Sequence, residues 1–154
     1  MTNTEKKHKE YVLTPGVLRI ARGVMDRDSA EAVGHRAGVT EGGCTLRYEY
    51  KESDLRDTSG DVVSILKYGE KVILEGELVV ISPEAMALLR EKEVTATLTC
   101  PLPDGDSICV TMRGAVPSIG KLTLKRGGRL SFRIVSAPGL SDWKMTAYER
   151  GIAG

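Results

Sequence analysis

The alternation of apolar and polar residues is clearest in the first half of residues 71–90, KVILEGELVVISPEAMALLR. This alternation predicts a β-strand, because successive side chains of a strand point to opposite faces. One face is wholly apolar and consists of Val72, Leu74, Gly76, Leu78 and Val80. The other face carries Glu75 and Glu77 among β-branched residues. Because an unpaired buried carboxylate is costly, we expect this second face to meet something other than a dry core.

A short helix is predicted directly after this strand. Ser82 is a preferred N-cap residue, Pro83 suits the first helical position, and Glu84 lies where the helix dipole favours negative charge. The apolar stripe of this helix consists of Ala85, Met86, Leu88 and Leu89. Strand-like alternation returns at Val94, which leaves room for about two and a half helical turns.

Further alternating segments predict a mainly β protein. Together with the strand that begins at residue 71 they make about eight short strands, joined by Gly-rich turns. The predicted fold class is a two-sheet β-sandwich or barrel with one short flanking α-helix. The 154 residues are expected to form a single domain, residues 1–154. Residues 1–10 are predicted to be a charged arm, which is mobile in isolation and able to order against a partner.

A polar loop is predicted at residues 51–61, KESDLRDTSGD. About ten residues is longer than the usual hairpin connection, and long connections in compact domains often carry function. The one apolar residue of this loop, Leu55, either packs on its own domain or anchors a neighbouring molecule. The candidate contact residues are Asp54, Leu55, Arg56, Asp57 and Asp61.

Charge and composition narrow the classes of function. The formal net charge is +1, from 22 basic and 21 acidic residues, which argues against a dedicated nucleic-acid binder. Cys44, Cys100 and Cys109 include no CxxC pair and have no neighbouring His, so we expect reduced thiols in a cytosolic setting and no zinc. The polar N-terminus and the absence of an apolar run of roughly 20 residues predict neither a signal peptide nor a membrane helix.

The sequence offers no set of residues for catalysis. Glu75 and Glu77 have the spacing of paired carboxylates, but acids on one exposed strand face usually point to water, and no partner for them is identifiable. Asp54, Asp57 and Asp61 lack the spacing and the terminal Glu of a calcium-binding EF-hand loop. We therefore predict a protein that is not an enzyme, with no cofactor and no metal site.

Three motifs in residues 34–90 resemble the bacteriophage tail tube proteins. They are GVTEGG at 38–43, GEKV at 69–72 and SPE at 82–84. In that family a hairpin ends in a G-x-T-x-G-G turn, G-E-x-V opens a long strand, and a helix begins soon after it. The matching turn residues are Gly38, Thr40, Gly42 and Gly43, and the matching helix cap is Ser82 with Pro83.

The resemblance implies a virion protein of two packed sheets with a helix at the side. Such subunits form hexameric rings that stack into a tube, and viral DNA passes through the lumen without specific binding. Glu75 and Glu77 would then face the lumen, and the loop with Leu55 would contact an adjacent subunit or ring. Arg129 and Arg133 share a strand face, and they would offset these acids if that face also lined the lumen.

The family also implies partners and a location. Sheath, tape measure, terminator or baseplate proteins would contact the tube. Assembly would take place in the cytoplasm of a bacterial host, with no membrane partner. Two alternatives remain: a tail terminator or head-tail connector of related fold, and a small β-barrel module that binds nucleic acid or a ligand.

Overall fold

The computed structural model describes residues 2–79, 83–103, 105–123, 128–136 and 142–148, and their structure is mainly β, as predicted. The strands are β1 (Thr2–Leu13), β2 (Val17–Arg22), β3 (His35–Val39), β4 (Cys44–Arg56), β5 (Val62–Leu78), β6 (Val94–Pro101), β7 (Ser107–Thr123), β8 (Arg129–Ser136) and β9 (Asp142–Tyr148). The helices are α1 (Arg27–Val33) and α2 (Pro83–Leu88). Neither of these helices is long and apolar enough to cross a membrane, and no other described helix exists.

All paired strands are antiparallel, and they form one hydrogen-bonded sheet in the order β1-β4-β5-β8-β7-β6-β2-β3. The long strand β7 connects the two halves of this order. Its residues 107–115 pair with β6, and its residues 116–123 pair with β8. Strand β9 pairs with residues 107–113 of β7. An isolated bridge between Val39 and Val79 joins the end of β3 to the chain just after β5.

The prediction of a single helix was wrong, because the described residues contain two. Asp26 caps α1 by accepting a hydrogen bond from the Ser29 N–H (2.8 Å), and this bond lowers the pKa of Asp26. The helix ends at Gly34, whose N–H donates to the Ala30 carbonyl (2.7 Å). The second helix begins at Pro83, and the proposed cap residue Ser82 lies outside the described residues.

A single hydrophobic core contains residues from eight of the strands and from the α2 region. Its largest fully buried side chains are Leu18, Ile20, Leu46, Leu74, Leu78, Leu89, Leu98, Met112, Leu130, Ile134, Val72 and Val94. Cys44 and Cys100 belong to this core, and Cys109 is also buried. All three cysteines are free thiols.

The N-terminal segment that the sequence suggested as an arm is strand in the structure. β1 pairs with β4 along its whole length, from Thr2 opposite Leu55 to Leu13 opposite Cys44. Because β1 lies at the end of the strand order, it has a single partner strand among the described residues. Its predicted mobility in the isolated chain stays a prediction.

The polar segment at 51–61 is mostly strand, so its prediction as a loop was wrong. β4 continues to Arg56 and β5 begins at Val62, which leaves only residues 57–61 as the turn between them. The two strands form a long hairpin, and we call its residues 51–68 the distal hairpin. Asp54, Leu55 and Arg56 therefore belong to a strand, whereas Asp57 and Asp61 lie in the turn.

The Thr40 side chain anchors the turn at residues 40–43. Its hydroxyl accepts a hydrogen bond from the Gly16 N–H (2.9 Å) and donates to the Gly16 carbonyl (3.3 Å), and the side chain is fully buried. Gly43 has φ 79°, and a Cβ there would lie 2.5 Å from the Leu13 carbonyl oxygen. A non-glycine residue is therefore strained at position 43. Gly38 belongs to β3, and Gly42 is an exposed turn residue.

Candidate functional site

Glu75 and Glu77 lie on the side of the sheet that faces away from the core. Both side chains are 56% exposed, and they alternate along β5 with the buried Leu74 and Leu78. We call this surface of β1, β4, β5 and β8 the outer face. Residues opposite each other in paired strands share a face, so Glu75 lies on the outer face between Thr45 of β4 and Arg133 of β8.

The outer face carries balanced charge beside Glu75 and Glu77. Arg133 Nε lies 3.7 Å from Glu75 Oε1, and Arg129 Nη1 lies 3.6 Å from Glu77 Oε2. On β4, Arg47 and Glu49 form an ion pair at 2.9 Å. On the part of this face beside Glu75 and Glu77, the pairing register places four acids and four bases, namely Glu10, Arg47, Glu49, Lys71, Glu75, Glu77, Arg129 and Arg133. Lys6 and Lys51 continue the face toward the distal hairpin. The two arginines of β8 therefore do offset the acids of β5.

These ion pairs are expected to contribute little to folding. Because both partners of the Glu75–Arg133 pair are about half exposed, water screens their attraction. A double-mutant cycle with Glu75→Ala and Arg133→Ala should give a coupling energy below about 1 kcal/mol in urea unfolding. A coupling of several kcal/mol would instead show that the pair is there for stability. A weak coupling would mean that these charges contribute little to the stability of the fold, so that they can serve a function other than folding.

The distal hairpin exposes apolar side chains on both of its faces. Every described residue from 61 to 70 is exposed. The register shifts between Glu49 and Lys51, beside Gly69 with φ 64°, which is the geometry of a β-bulge. Beyond the bulge, residues 64, 66 and 68 of β5 share a face with residues 51, 53 and 55 of β4. The exposed apolar residues include Leu55 (41%), Leu66 (52%) and Tyr68 (39%) on this face, and Val63 (63%) and Ile65 (61%) on the other.

Lys67 holds the base of the distal hairpin against the core. Its ammonium nitrogen lies 4.2 Å from the centroid of the Tyr50 ring and 5.2 Å from that of Tyr48. The two rings are themselves in contact, with centroids 5.2 Å apart. Burial and a hydrogen bond with Glu70 raise the pKa of Tyr48. This cation–π contact favours one orientation of the hairpin relative to the core.

The tip of the distal hairpin is ordered by its own polar residues. Asp57 Oδ1 accepts hydrogen bonds from the N–H groups of Ser59 (2.9 Å) and Asp61 (3.0 Å). Arg56 donates to the Gly60 carbonyl (2.8 Å), and Arg56 Nη2 lies 3.5 Å from Asp54 Oδ2. The contact residues predicted from the sequence therefore lie together at one end of the molecule. They belong to a hydrogen-bonded turn and to the strand beside it.

The alternation of residues along the chain did not indicate the unpaired strand edges. Among the described residues, β1 pairs only with β4, and residues 116–123 of β7 pair only with β8. These two segments are the opposite edges of the group β1-β4-β5-β8-β7. Exposed apolar residues lie on both, with Val12 on β1 at 84% exposure and Val116 and Leu122 on β7 at 50% and 44%. An unpaired edge of this kind presents free backbone groups to another strand.

The geometry of the described residues gives little support for a metal site or for a reactive thiol. In the described part of the chain, no three His, Cys, Asp or Glu side chains lie close enough to hold a metal ion. Burial raises the pKa of Cys44 to about 12 and that of Cys100 to about 11. Such thiols carry almost no thiolate at neutral pH and are therefore poor nucleophiles. The described surface beside Glu75 has open depressions, one lined by Glu10, Thr45, Arg47 and Ile73 and another lined in part by Val12 and Glu77.

Comparison of the chain with models of protein families, with curated proteins and with solved structures gave no match.

Proposed function

We propose that this protein is a structural subunit that assembles with copies of itself into stacked rings, as the tube of a bacteriophage tail. The observation that carries this proposal is the pair of unpaired edges on one group of strands, β1 and residues 116–123 of β7. The two edges differ in sequence. A contact between them is therefore head-to-tail, and repeated head-to-tail contacts close into a ring when the rotation between subunits permits.

Joined at these edges, the subunits would make one continuous sheet around a channel. Within a subunit, the sheet would fold over at β7 into two layers, an arrangement supported by the single core that both halves share. The outer face with Glu75 and Glu77 would line the channel. Equal numbers of acids and bases beside Glu75 and Glu77 give that part of the wall little net field, so a polyanion such as DNA would pass it without being held. Six subunits per ring is the number that the sequence resemblance implies.

The distal hairpin would make contacts beyond the ring. Leu55, Leu66 and Ile65 are too exposed to serve the core of their own chain. The proposal assigns no catalysis, cofactor or metal to the protein. Its partners are further copies of itself, other tail proteins and the DNA in transit. Its location is the virion, after assembly in the cytoplasm of a bacterial host.

Electron microscopy of the purified protein tests the proposal. At increasing protein concentration we expect negative-stain images of rings and of tubes, and a sedimenting fraction that grows with concentration. A protein that stays monomeric under all conditions, and also with other tail proteins added, would contradict it. Rings that never stack would instead indicate a terminator or connector.

Variants at Val116 test whether ring formation depends on the edge formed by residues 116–123 of β7. Lysine at an edge strand opposes pairing with another chain, so Val116→Lys should abolish rings. Val116→Thr keeps a β-branched side chain and should retain them. Val116 is half exposed, so both variants should fold.

A further inference from the structure

Three lysines lie together at the end of the outer face where the distal hairpin begins. Lys6 of β1 is directly opposite Lys51 of β4, and both side chains are exposed. Lys71 of β5 lies in the next row of this face, opposite Glu49 of β4, and is half-buried. Neighbouring strands are about 4.8 Å apart and successive rows about 7 Å, so the backbones of the three lysines lie within roughly 12 Å of one another. We call Lys6, Lys51 and Lys71 the lysine patch.

No acid of the outer face neutralises the lysine patch. Glu49 is the acid nearest to it in the pairing register, but its carboxylate forms an ion pair with Arg47 at 2.9 Å and is only 15% exposed. Within the part of the chain that the structure describes, none of the three lysines has an ion-pair partner. Like charges directly opposite each other in a strand pair repel. An anion that contacts both Lys6 and Lys51 would therefore bind favourably.

The geometry of β1 and β5 keeps these charges on the surface. Lys7, the next residue of β1, points to the opposite face, where its ammonium nitrogen lies 2.9 Å from Glu52 Oε2. Lys51 instead passes the backbone of Gly69 in the β5 bulge, where an added Cβ would lie 3.8 Å from Lys51 Cδ. A lysine stem that packs on the sheet leaves its ammonium group in water. Lys51 is therefore supported by the chain and available to a partner.

The shape of the surface indicates the class of anion. The lysine patch lies on an open sheet, and the described depressions of the outer face are lined by other residues. An open sheet offers a single phosphate group no enclosing walls. Lysines on three neighbouring strands can each contact a different phosphate of a polymer, and double-stranded DNA presents one negative charge per about 1.7 Å of its axis.

Acids on both sides of the lysine patch narrow the choice of partner. Asp54, Asp57 and Asp61 lie at the tip of the distal hairpin, and Glu75 and Glu77 lie farther along the outer face. A flat anionic surface, such as a membrane of acidic lipids, would approach both groups of acids. The rounded backbone of a duplex can contact the lysines alone. Charge complementarity therefore favours DNA over a membrane.

We propose that the lysine patch is a phosphate-binding site for double-stranded DNA, without preference for base sequence. The site depends on the charges of one subunit, whereas its place in a channel rests on the proposed function. If the outer face lines the channel, the lysine patches of all subunits in a ring lie at one level. Linked sites bind more tightly than single ones, so a ring would hold the duplex at this level and let it slide past Glu75 and Glu77.

Fluorescence anisotropy of a short labelled duplex tests the site, at protein concentrations below those that give rings. The logarithm of the affinity should fall with the logarithm of the salt concentration, with a slope of roughly −3 for three phosphate contacts. Lys6→Gln combined with Lys51→Gln should reduce this slope by about 2 and weaken binding at low salt at least about tenfold. This variant should fold, because it removes a repulsion between exposed side chains. Circular dichroism checks this.

Lys9→Gln combined with Lys92→Gln is the matched control. Lys9 points to the opposite face of β1, Lys92 follows α2, and both are exposed, so the net charge changes equally away from the lysine patch. This control should bind the duplex as the wild type does. An equal loss of binding in both double variants would overturn the site. A wild type that does not bind the duplex at low salt, or that binds vesicles of acidic lipid more tightly, would also overturn it.

The two proposals fail separately in these experiments. Rings or tubes of a protein that does not bind the duplex would overturn the phosphate site and leave the proposed function standing. Duplex binding that depends on Lys6 and Lys51, in a protein that never forms rings, would overturn the proposed function and leave the site.

Discussion

Excision of residues 53–66 is expected to leave a folded protein that no longer forms tubes. Glu52 and Lys67 are directly opposite each other in the β4–β5 pair, so an Asn-Gly turn can join them as a two-residue hairpin. None of the excised residues belongs to the hydrophobic core. Ser53 is the one buried residue among them, and Lys67 keeps its contact with Tyr50. Residues 2–4, which pair with the excised part of β4, are removed together with it.

The expected loss of assembly is large because the excision removes a whole contact surface. Central interface residues often contribute about 2 kcal/mol or more each, which corresponds to a factor of roughly thirty in affinity. We expect the critical concentration for tube formation to rise by at least that factor, while the thermal unfolding midpoint stays within a few degrees of wild type. Pelleting and circular dichroism measure the two quantities.

Ser59→Ala is the matched control for this excision. Ser59 is an exposed tip residue whose backbone N–H bonds to Asp57, and the substitution keeps that group. This variant should fold and assemble as wild type does. Wild-type tube yield from the excised protein would show that the distal hairpin is not an assembly surface. A large drop in its melting temperature would show that the hairpin supports the fold.

The alternation of apolar and polar residues predicts a strand well where one face of the strand is buried and the other is exposed to solvent. The segment after Lys71 meets this condition, and β5 has the expected buried Val72, Leu74 and Leu78 with Glu75 and Glu77 exposed. The distal hairpin does not meet it, since water reaches both of its faces. Its residues 51–61 are polar without a period, so they were predicted as a loop. Residues 2–10 of β1 escaped prediction because they too are polar without a period, and residues 2–6 pair with that part of β4.

Properties that depend on register could not be read from one sequence. Whether Arg133 lies opposite Glu75, and Arg36 opposite Arg19, depends on how many residues each turn and bulge absorbs. The bulge at Gly69 reverses which side chains of β5 face outward. A glycine in the sequence does not by itself indicate a bulge. The prediction therefore identified Glu75 and Glu77 as exposed acids, but it missed the strand edges that carry the proposed assembly.

The free energy of unfolding is expected to fall steeply between pH 9 and pH 11. Burial raises the pKa of Cys44 to about 12 and that of Cys100 to about 11, from an ordinary value of 9.0. In this pH range the folded protein keeps thiol protons that the unfolded chain releases, so stability decreases as pH rises. The full stability is present below pH 9 and is lost as the pH approaches the folded pKa values. Each thiol contributes a slope of about 1.4 kcal/mol per pH unit.

Urea unfolding at pH 8, 9, 10 and 11, with a reductant present, measures this slope. Lysines and tyrosines also titrate in that range, so the thiols are isolated by comparison with a variant that carries Cys44→Ala and Cys100→Ala. The variant begins less stable, because each substitution leaves a small cavity in the core. Its stability should nevertheless fall less steeply, by up to roughly 5 kcal/mol less over two pH units. Equal slopes for the two proteins would mean that water reaches these thiols, and that the core beneath the outer face is not closed at Cys44 and Cys100.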